Sequence, residues 1–457
     1  FNYINCIEVN TTSGVVNGHT IHVLNASIHE FLGIPYAQPP VGALRFAKPV
    51  PIEKPSKDII DATKPGNSCM QKPPDYAQEL WGNVTLSEDC LVLNIWTPNV
   101  ENSTRSEALP LKPVMFYIHG GGLLWGSIFN PIYNGSSFGF LYGEEVSAPG
   151  NVGLFDQLLA LKWVRENVHL FGGDRDQITI FGQSAGSWSV SAQIFSPLSR
   201  GLFKRAIMQS GAHMYNKDRD IINTTEALAM GHELAQQLKC NSSEHWLTCL
   251  RGVDAKELLK YIPKYVDPVE GTEYLPISAQ KAYETKKFNS DIDLMAGNTL
   301  DECSGALSRM FPDVHNITVD VFKGLVSQSN QVFHGLDTEN VTNFYLRNVD
   351  PEDPGAIERA FDVFYGDLMQ ICPTYLFAKQ YATSVQQLKN IYFFDLTFTS
   401  QHVTNITGCQ PGKVCHLADL PFVFGMPFRV PEVFTHEETV FSRDVMKMWT
   451  NFAKTGF

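Results

Sequence analysis

The sequence predicts an α/β fold, a large and mostly parallel central sheet with helices on both faces and a helical cap region, on three observations. The first is a set of near-continuous apolar runs bounded by Pro or Gly, "CLVLNIW", "PVMFYIHG" and "QITIF", which is how strands buried on both faces of a sheet read. The second lies between the last two runs, where apolar residues recur at Leu154, Leu158, Leu161, Val164 and Val168, the spacing of one helix face. The third is their order. Strand, helix, strand implies a right-handed crossover joining parallel neighbours.

The remaining elements follow along the chain. Alternation in "GHTIHVLNAS", broken by Gly and Asn, reads as short antiparallel hairpins. Further strands are expected at "RAIMQS", "IDLMAG" and "IYFFDL", and helices at Thr225 to Leu238, Ala356 to Phe364 and Arg443 to Lys454. The stretch from about Tyr215 to Lys286 reads as the cap. No repeat, low-complexity tract or linker interrupts the pattern, so residues 1–457 read as a single domain. With 44% hydrophobic and 18% charged residues the chain can bury a large core, which excludes disordered and fibrous classes. A formal net charge of −13 argues against nucleic acid and anionic lipid as partners, since both need clustered Lys and Arg. No apolar run is long enough for a transmembrane segment.

Two patterns place the chain in an oxidising compartment. Asn-x-Ser/Thr sequons stand at Asn10, Asn25, Asn83, Asn102, Asn134, Asn223, Asn241, Asn316, Asn340 and Asn405. Among nine cysteines, Cys69 with Cys90, Cys240 with Cys249, and Cys409 with Cys415 can each close a short loop as a disulfide, leaving Cys6, Cys303 and Cys372. No signal peptide is visible, so a mature secreted or secretory-lumen form is expected.

The chemistry centres on "GQSAG", Gly182 to Gly186, a G-x-S-x-G pattern with a β-rich run before it and a helix start after it. In that setting the serine sits on a sharp strand-to-helix turn. A serine hydroxyl needs a neighbouring base, and the oxyanion formed by its attack needs fixed N–H donors. "HGGG", His119 to Gly122, follows the strand "VMFYI" and supplies side-chain-free donors; Ala185 supplies the other. Among 13 histidines, His416 stands out in "CHLADLPFVFG", a loop next to Cys409 and Cys415. For the acid, "LMAGNTLDEC" puts Asp301 and Glu302 just past a strand end, where α/β sheets collect functional loops, and the residues alone leave the two tied. Serine, acid, histidine is the chain order of α/β-hydrolases.

These residues sit within longer blocks. From "FLGIPYAQPPVGALRF" through "SEDCLVLNIW" and "GNVGLFDQLLALKWVRENVHLFGGD" to "FSRDVMKMWTNFAKTG" the chain resembles the type-B carboxylesterase and cholinesterase family. The resemblance implies Ser184 as nucleophile, Glu302 as acid and His416 as base. It also implies oxyanion donors at Gly121, Gly122 and Ala185, and disulfides Cys69–Cys90 and Cys240–Cys249. No metal or organic cofactor is expected, and the expected partner is a small-molecule ester. Three departures stand against the pattern. A further strand is expected before "SFGFLYG", but Ser136 and Ser137 run straight into it, which points to missing residues there. The chain stops at "FAKTGF", short of the family's C-terminal segment, where cholinesterases place a partner for the cysteine resembling Cys372. Cys303 replaces a glycine.

Substrate class rests on fewer residues. Choline-ester enzymes of the family hold a quaternary ammonium on an aromatic face, and Trp81 resembles that position. They also carry an acidic residue before the serine, where Gln183 stands, and an aromatic three residues after the acid, where Gly305 stands. "GQSAG" resembles juvenile-hormone esterases, whose substrate is a long neutral methyl ester. Trp81, Gln183 and Leu123 are candidate pocket residues, and a neutral, apolar ester is the expected substrate; a choline ester or a hormone ester is the alternative, as is a slow, ligand-sequestering member of the family.

Overall fold

The computed structural model describes residues 6–72, 85–98, 100, 110–129, 139–213, 222–240, 245–261, 266–333, 335–385, 389–407 and 409–457. The break expected near Ser136 and Ser137 lies outside the described residues, as do Trp81, Asn83, Asn102, Asn134 and Asn241. The chain gathers into two compact units. One comprises Phe1–Ala206, Ile221–Ser278 and Lys287–Ile292; the other comprises Ile207–Asp220, Ala279–Lys286 and Asp293–Phe457.

The first unit opens with the hairpins that the N-terminal alternation predicts. Cys6–Thr11 pairs antiparallel with Gly14–Val23, which pairs antiparallel with Ala26–Pro35. The second turn is two residues long, with Leu24 at φ 54, the left-handed backbone such a tight hairpin demands. "CLVLNIW" departs from expectation. Its strand, Val92–Thr97, pairs antiparallel with Ala26–Pro35, and Trp96 is 54% exposed. Asn94, the one polar residue inside the run, is half-buried on the same face as Trp96, accepting from Gly33 N and donating to the Ile128 carbonyl.

The longest parallel pairing among the described strands of this unit is Lys112–Ile118 beside Gly173–Gln183, with Ile118 opposite Gly182. The helix between them in sequence, Val152–Asn167, buries Leu154, Phe155, Leu158, Leu161 and Val164, the face that the spacing marks. The helix Thr224–Gln237 starts on a capping box in which Asn223 and Glu226 satisfy each other's backbone N–H groups. Disulfides Cys69–Cys90 and Cys240–Cys249 are formed. Arg45, 7% exposed, pairs with Glu88 at 2.6 Å and donates to the carbonyls of Leu250, Arg251 and Val253, so its buried charge is fully hydrogen-bonded.

In the second unit, Asp293–Thr299 pairs parallel with Ile391–Leu396. Gly297 allows that approach, since a Cβ there would lie 2.2 Å from the Phe394 carbonyl oxygen. The helices Val319–Val332, Thr338–Leu346 and Pro354–Gly366 bury a cluster built on Phe322, Phe361, Phe364 and Tyr365. A π-helical turn, Asp367–Ile371, leads into Cys372–Val385. The last helix, His436–Thr455, begins a full two turns before the apolar spacing does, because Thr435 and Glu438 form a capping box ahead of it. Among the described residues no helix is long and apolar enough to cross a membrane.

Candidate active site

Ser184 lies between the strand Gly173–Gln183 and the helix Ala185–Phe195. Its backbone is at φ 59, ψ −126, a conformation that an L side chain rarely adopts and that persists only where the surroundings over-determine it. The surroundings here are backbone. A Cβ on Gly186 would lie 2.0 Å from the Ile118 carbonyl oxygen, and one on Gly182 would lie 2.6 Å from the same atom. Both glycines of the motif are therefore required by close packing of the turn on the neighbouring strand end. Ser184 makes no side-chain cap to its own helix, so its hydroxyl is not spent on the helix N-terminus.

The glycine loop meets the same turn. A Cβ on Gly120 would lie 2.7 Å from the Gln183 carbonyl oxygen, 3.1 Å from Ser184 Cβ and 3.2 Å from Gln183 Oε1. Gly121 and Gly122 follow at φ 110 and 61, and Leu124 and Trp125 donate to the Gly121 carbonyl to close a tight turn. The loop is pinned from behind by Gln71, whose carboxamide bonds both the N–H and the carbonyl of Gly126. Burial drives His119 down to about pKa 3, so its imidazole is neutral and adds no positive charge beside the glycines. The polar groups that this loop presents are its backbone N–H groups, beside the N-terminus of the helix Ala185–Phe195. Leu123, buried at φ 61, and Gln183, fully buried, are both part of this assembly.

The other candidate residues belong to the second unit. Glu302 follows the strand Asp293–Thr299, and its carboxylate accepts from Thr299 N at 2.7 Å through one oxygen and contacts His416 Nδ1 at 2.6 Å through the other. The Glu302 side chain has no exposed surface and His416 retains 23%. A buried carboxylate on Nδ1 fixes the orientation and the tautomer of the ring. Asp301 points elsewhere, toward Lys413 Nζ at 2.8 Å and Val414 N at 3.0 Å. Two carboxylates that are tied on the residues alone thus part company: Glu302 reaches the histidine and Asp301 the loop before it.

A match to the carboxylesterase family runs over residues 5–457. The chain belongs to the carboxylesterase family. It is a carboxylic ester hydrolase with the α/β-hydrolase fold of that family. Among curated relatives it is 32% identical to "Acetylcholinesterase" of Leptinotarsa decemlineata, over 98% of this chain and 79% of the relative. It is 34% identical to "Cholinesterase" of Mus musculus, over 98% and 78%, and 32% identical to "Acetylcholinesterase-1" of Trittame loki, over 94% and 82%.

Sequence reasoning missed a buried carboxyl near the Glu302–His416 pair of this carboxylesterase. Asp419, 3% exposed, accepts from Gln209 Nε2 at 2.5 Å, and Gln209 Oε1 accepts from Trp449 Nε1 at 3.2 Å. Burial lifts the Asp419 carboxyl to about pKa 6; the Gln209 hydrogen bond opposes the shift, Glu302 adds to it and His416 reduces it. Its signal was on the page, an acidic residue inside the apolar run "HLADLPFVFG". Cys303, where the resemblance leads one to expect a glycine, is a half-buried thiol whose pKa desolvation pushes up, which disfavours the thiolate.

Proposed function

We propose that the chain cleaves carboxylic esters through an acyl-enzyme, with Ser184 as nucleophile, His416 as general base and acid, and Glu302 as the group that orients and stabilises the imidazolium. The observation that carries this reading is the 2.6 Å contact of buried Glu302 with His416 Nδ1, taken with the strained, uncapped Ser184 in its glycine-built turn. The Ser184 oxygen attacks the ester carbonyl as His416 takes its proton. N–H groups of Gly121, Gly122 and Ala185 receive the oxyanion, and collapse expels the alcohol with the proton from His416. Water then repeats the sequence on the acyl-enzyme and releases the acid. A fluorophosphonate probe should label the native chain and not Ser184→Ala; equal labelling of the two removes the nucleophile from the reading.

The proposed substrate is a neutral, apolar ester. Gln183, fully buried with its carboxamide against Gly120, puts an uncharged group where choline-ester enzymes carry a carboxylate, and leaves no anion for an apolar alcohol to desolvate. Gly305 adds no aromatic face after the acid; it begins the helix Ala306–Met310 at φ 74. The names of the relatives and the position of Trp81 favour the second reading, a choline ester. A panel of short-acyl, long-acyl, methyl and choline esters decides between them: kcat/KM highest for choline esters reverses the assignment, and no turnover of any ester favours a ligand-sequestering role. Three disulfides and exposed sequon residues Asn10, Asn25, Asn223, Asn316 and Asn340 support passage through the secretory pathway.

A further inference from the structure

We infer that Asp301 is a positioning residue for His416, acting through the loop closed by Cys409 and Cys415. The inference rests on the reading of His416 as the base.

The loop is short and unusually constrained. The Cys409–Cys415 disulfide closes a separation of six residues, Gly412 turns at φ 77, Lys413 N donates to the Gln410 carbonyl, and Cys415 N donates to Cys409 Sγ at 3.0 Å. Val414 and Cys415 are buried. Asp301 grips this loop at three points. Its N–H donates to the Val414 carbonyl at 2.9 Å, its Oδ2 accepts from Val414 N at 3.0 Å, and its Oδ1 pairs with Lys413 Nζ at 2.8 Å. One residue on, His416 N donates to the Glu302 carbonyl at 3.0 Å. The pairs 301–302 and 414–416 are thus laced by backbone hydrogen bonds, with the Asp301 carboxylate holding the chain before the histidine and the Glu302 carboxylate holding the ring.

The need for such a hold is visible one residue later. Leu417 sits at φ 81, a left-handed conformation costly for a leucine, directly after His416. Relaxation of that strain would rotate the backbone that carries the imidazole. The Lys413 pair is 40% exposed on the lysine side and contributes little, as solvent-screened pairs do. The charge-assisted bond to Val414 N, on the less exposed carboxylate, is the stronger restraint.

The experiment compares Asp301→Ala, Asp301→Asn and the double variant Cys409→Ser/Cys415→Ser in the full chain, using a short-acyl p-nitrophenyl ester for turnover and a fluorophosphonate to count sites. Misplacement of the base predicts that Asp301→Ala loses about 10- to 100-fold in kcat with KM nearly unchanged. Asp301→Asn, which keeps an acceptor for Val414 N, should recover most of the loss. The low-field proton resonance of the His416–Glu302 hydrogen bond should broaden in the alanine variant and return in the asparagine variant. Unchanged kcat in Asp301→Ala, or equal impairment of the alanine and asparagine variants with a matching drop in thermal midpoint, overturns the inference. Should Asp301→Ala fail to fold, the double cysteine variant decides: lowered kcat with KM kept supports the hold, and wild-type kcat overturns it. A native chain that does not label at Ser184 fails the underlying reading instead, and takes the inference with it.

Discussion

Ser184 is held by backbone packing, whereas the imidazole ring of His416 is held by side chains. Around the serine the restraints are glycines packed on carbonyl groups, Gly186 on Ile118 and Gly120 on Gln183, with a helix starting at the next residue. Around the histidine they are a buried carboxylate on the ring, an ion pair, a disulfide and a second buried carboxyl in Asp419. The difference is one of tolerance. A backbone contact at van der Waals distance has no room to yield, so its substitution is a folding problem. A polar contact can be weakened by one atom with the fold intact, so its substitution is a problem of chemistry or of pH.

The largest effect is expected on the serine side. In Gly186→Ala the new methyl would lie 2.0 Å from the Ile118 carbonyl oxygen, an atom that cannot move without opening the strand pair. A loss above about 4 kcal/mol is expected, read by denaturant unfolding, or no folded protein at all. A variant with a wild-type midpoint would show that the turn has slack and would break the contrast.

Glu302→Gln comes next and tests the opposite half. Gln keeps the shape and an acceptor for Thr299 N, but its amide N–H facing Nδ1 forces the histidine into the wrong tautomer. Turnover should fall about 10⁴-fold, with the unfolding midpoint little changed. A variant that lost stability and activity together would show that the carboxylate is structural.

The same contrast explains what could be read from the sequence. The serine side was legible because backbone-built sites leave local signatures: glycines at fixed spacing, a β-rich run before and a helix start after, all within Ile178 to Val190. The crossover helix was legible for the same reason, its buried face repeating at helical spacing. Side-chain-built sites assemble from residues far apart. Asp301 and Glu302 are physically equivalent in sequence, where only the family resemblance chose between them; the structure places Lys413 and Val414 beside one and His416 beside the other. Gln209, Asp419 and Trp449 come from three separate elements, so no window of sequence shows them as neighbours. The departure at "CLVLNIW" has a related cause: its composition is that of a doubly buried strand, and composition does not show that the face carrying Trp96 meets solvent.

A third, intermediate effect follows from Asp419. Its carboxyl rises from 3.8 to about 6 in the folded chain, so the folded state binds the proton more tightly than the unfolded state does. Between those two values unfolding releases protons, and stability falls as pH rises from about 4 to about 6, then stays level. Asp419→Asn mimics the protonated form and removes that cost. The variant should be more stable than the native chain at pH 7, by on the order of 3 kcal/mol, with the gain vanishing near pH 4. Thermal midpoints across that range give the answer; a gain independent of pH would mean that hydrogen bonding to Gln209, rather than charge, is what the substitution changes.

The smallest effect returns to the glycine loop and separates two reasons for a glycine. A Cβ on Gly121 would lie 1.8 Å from the Trp125 carbonyl oxygen, so that position is closed by contact. Gly122 has nothing within 4 Å of where a Cβ would stand, and only its φ of 61 disfavours a side chain. Gly122→Ala should therefore fold, at a cost of about 1 kcal/mol for a left-handed alanine. Its N–H stays in place, so an oxyanion donor at this position should survive and kcat should stay within a few-fold of native. If kcat instead falls by two orders of magnitude while the midpoint barely moves, the added methyl has entered the space of the reacting ester, and Gly122 is a glycine for the substrate's sake rather than for the turn's.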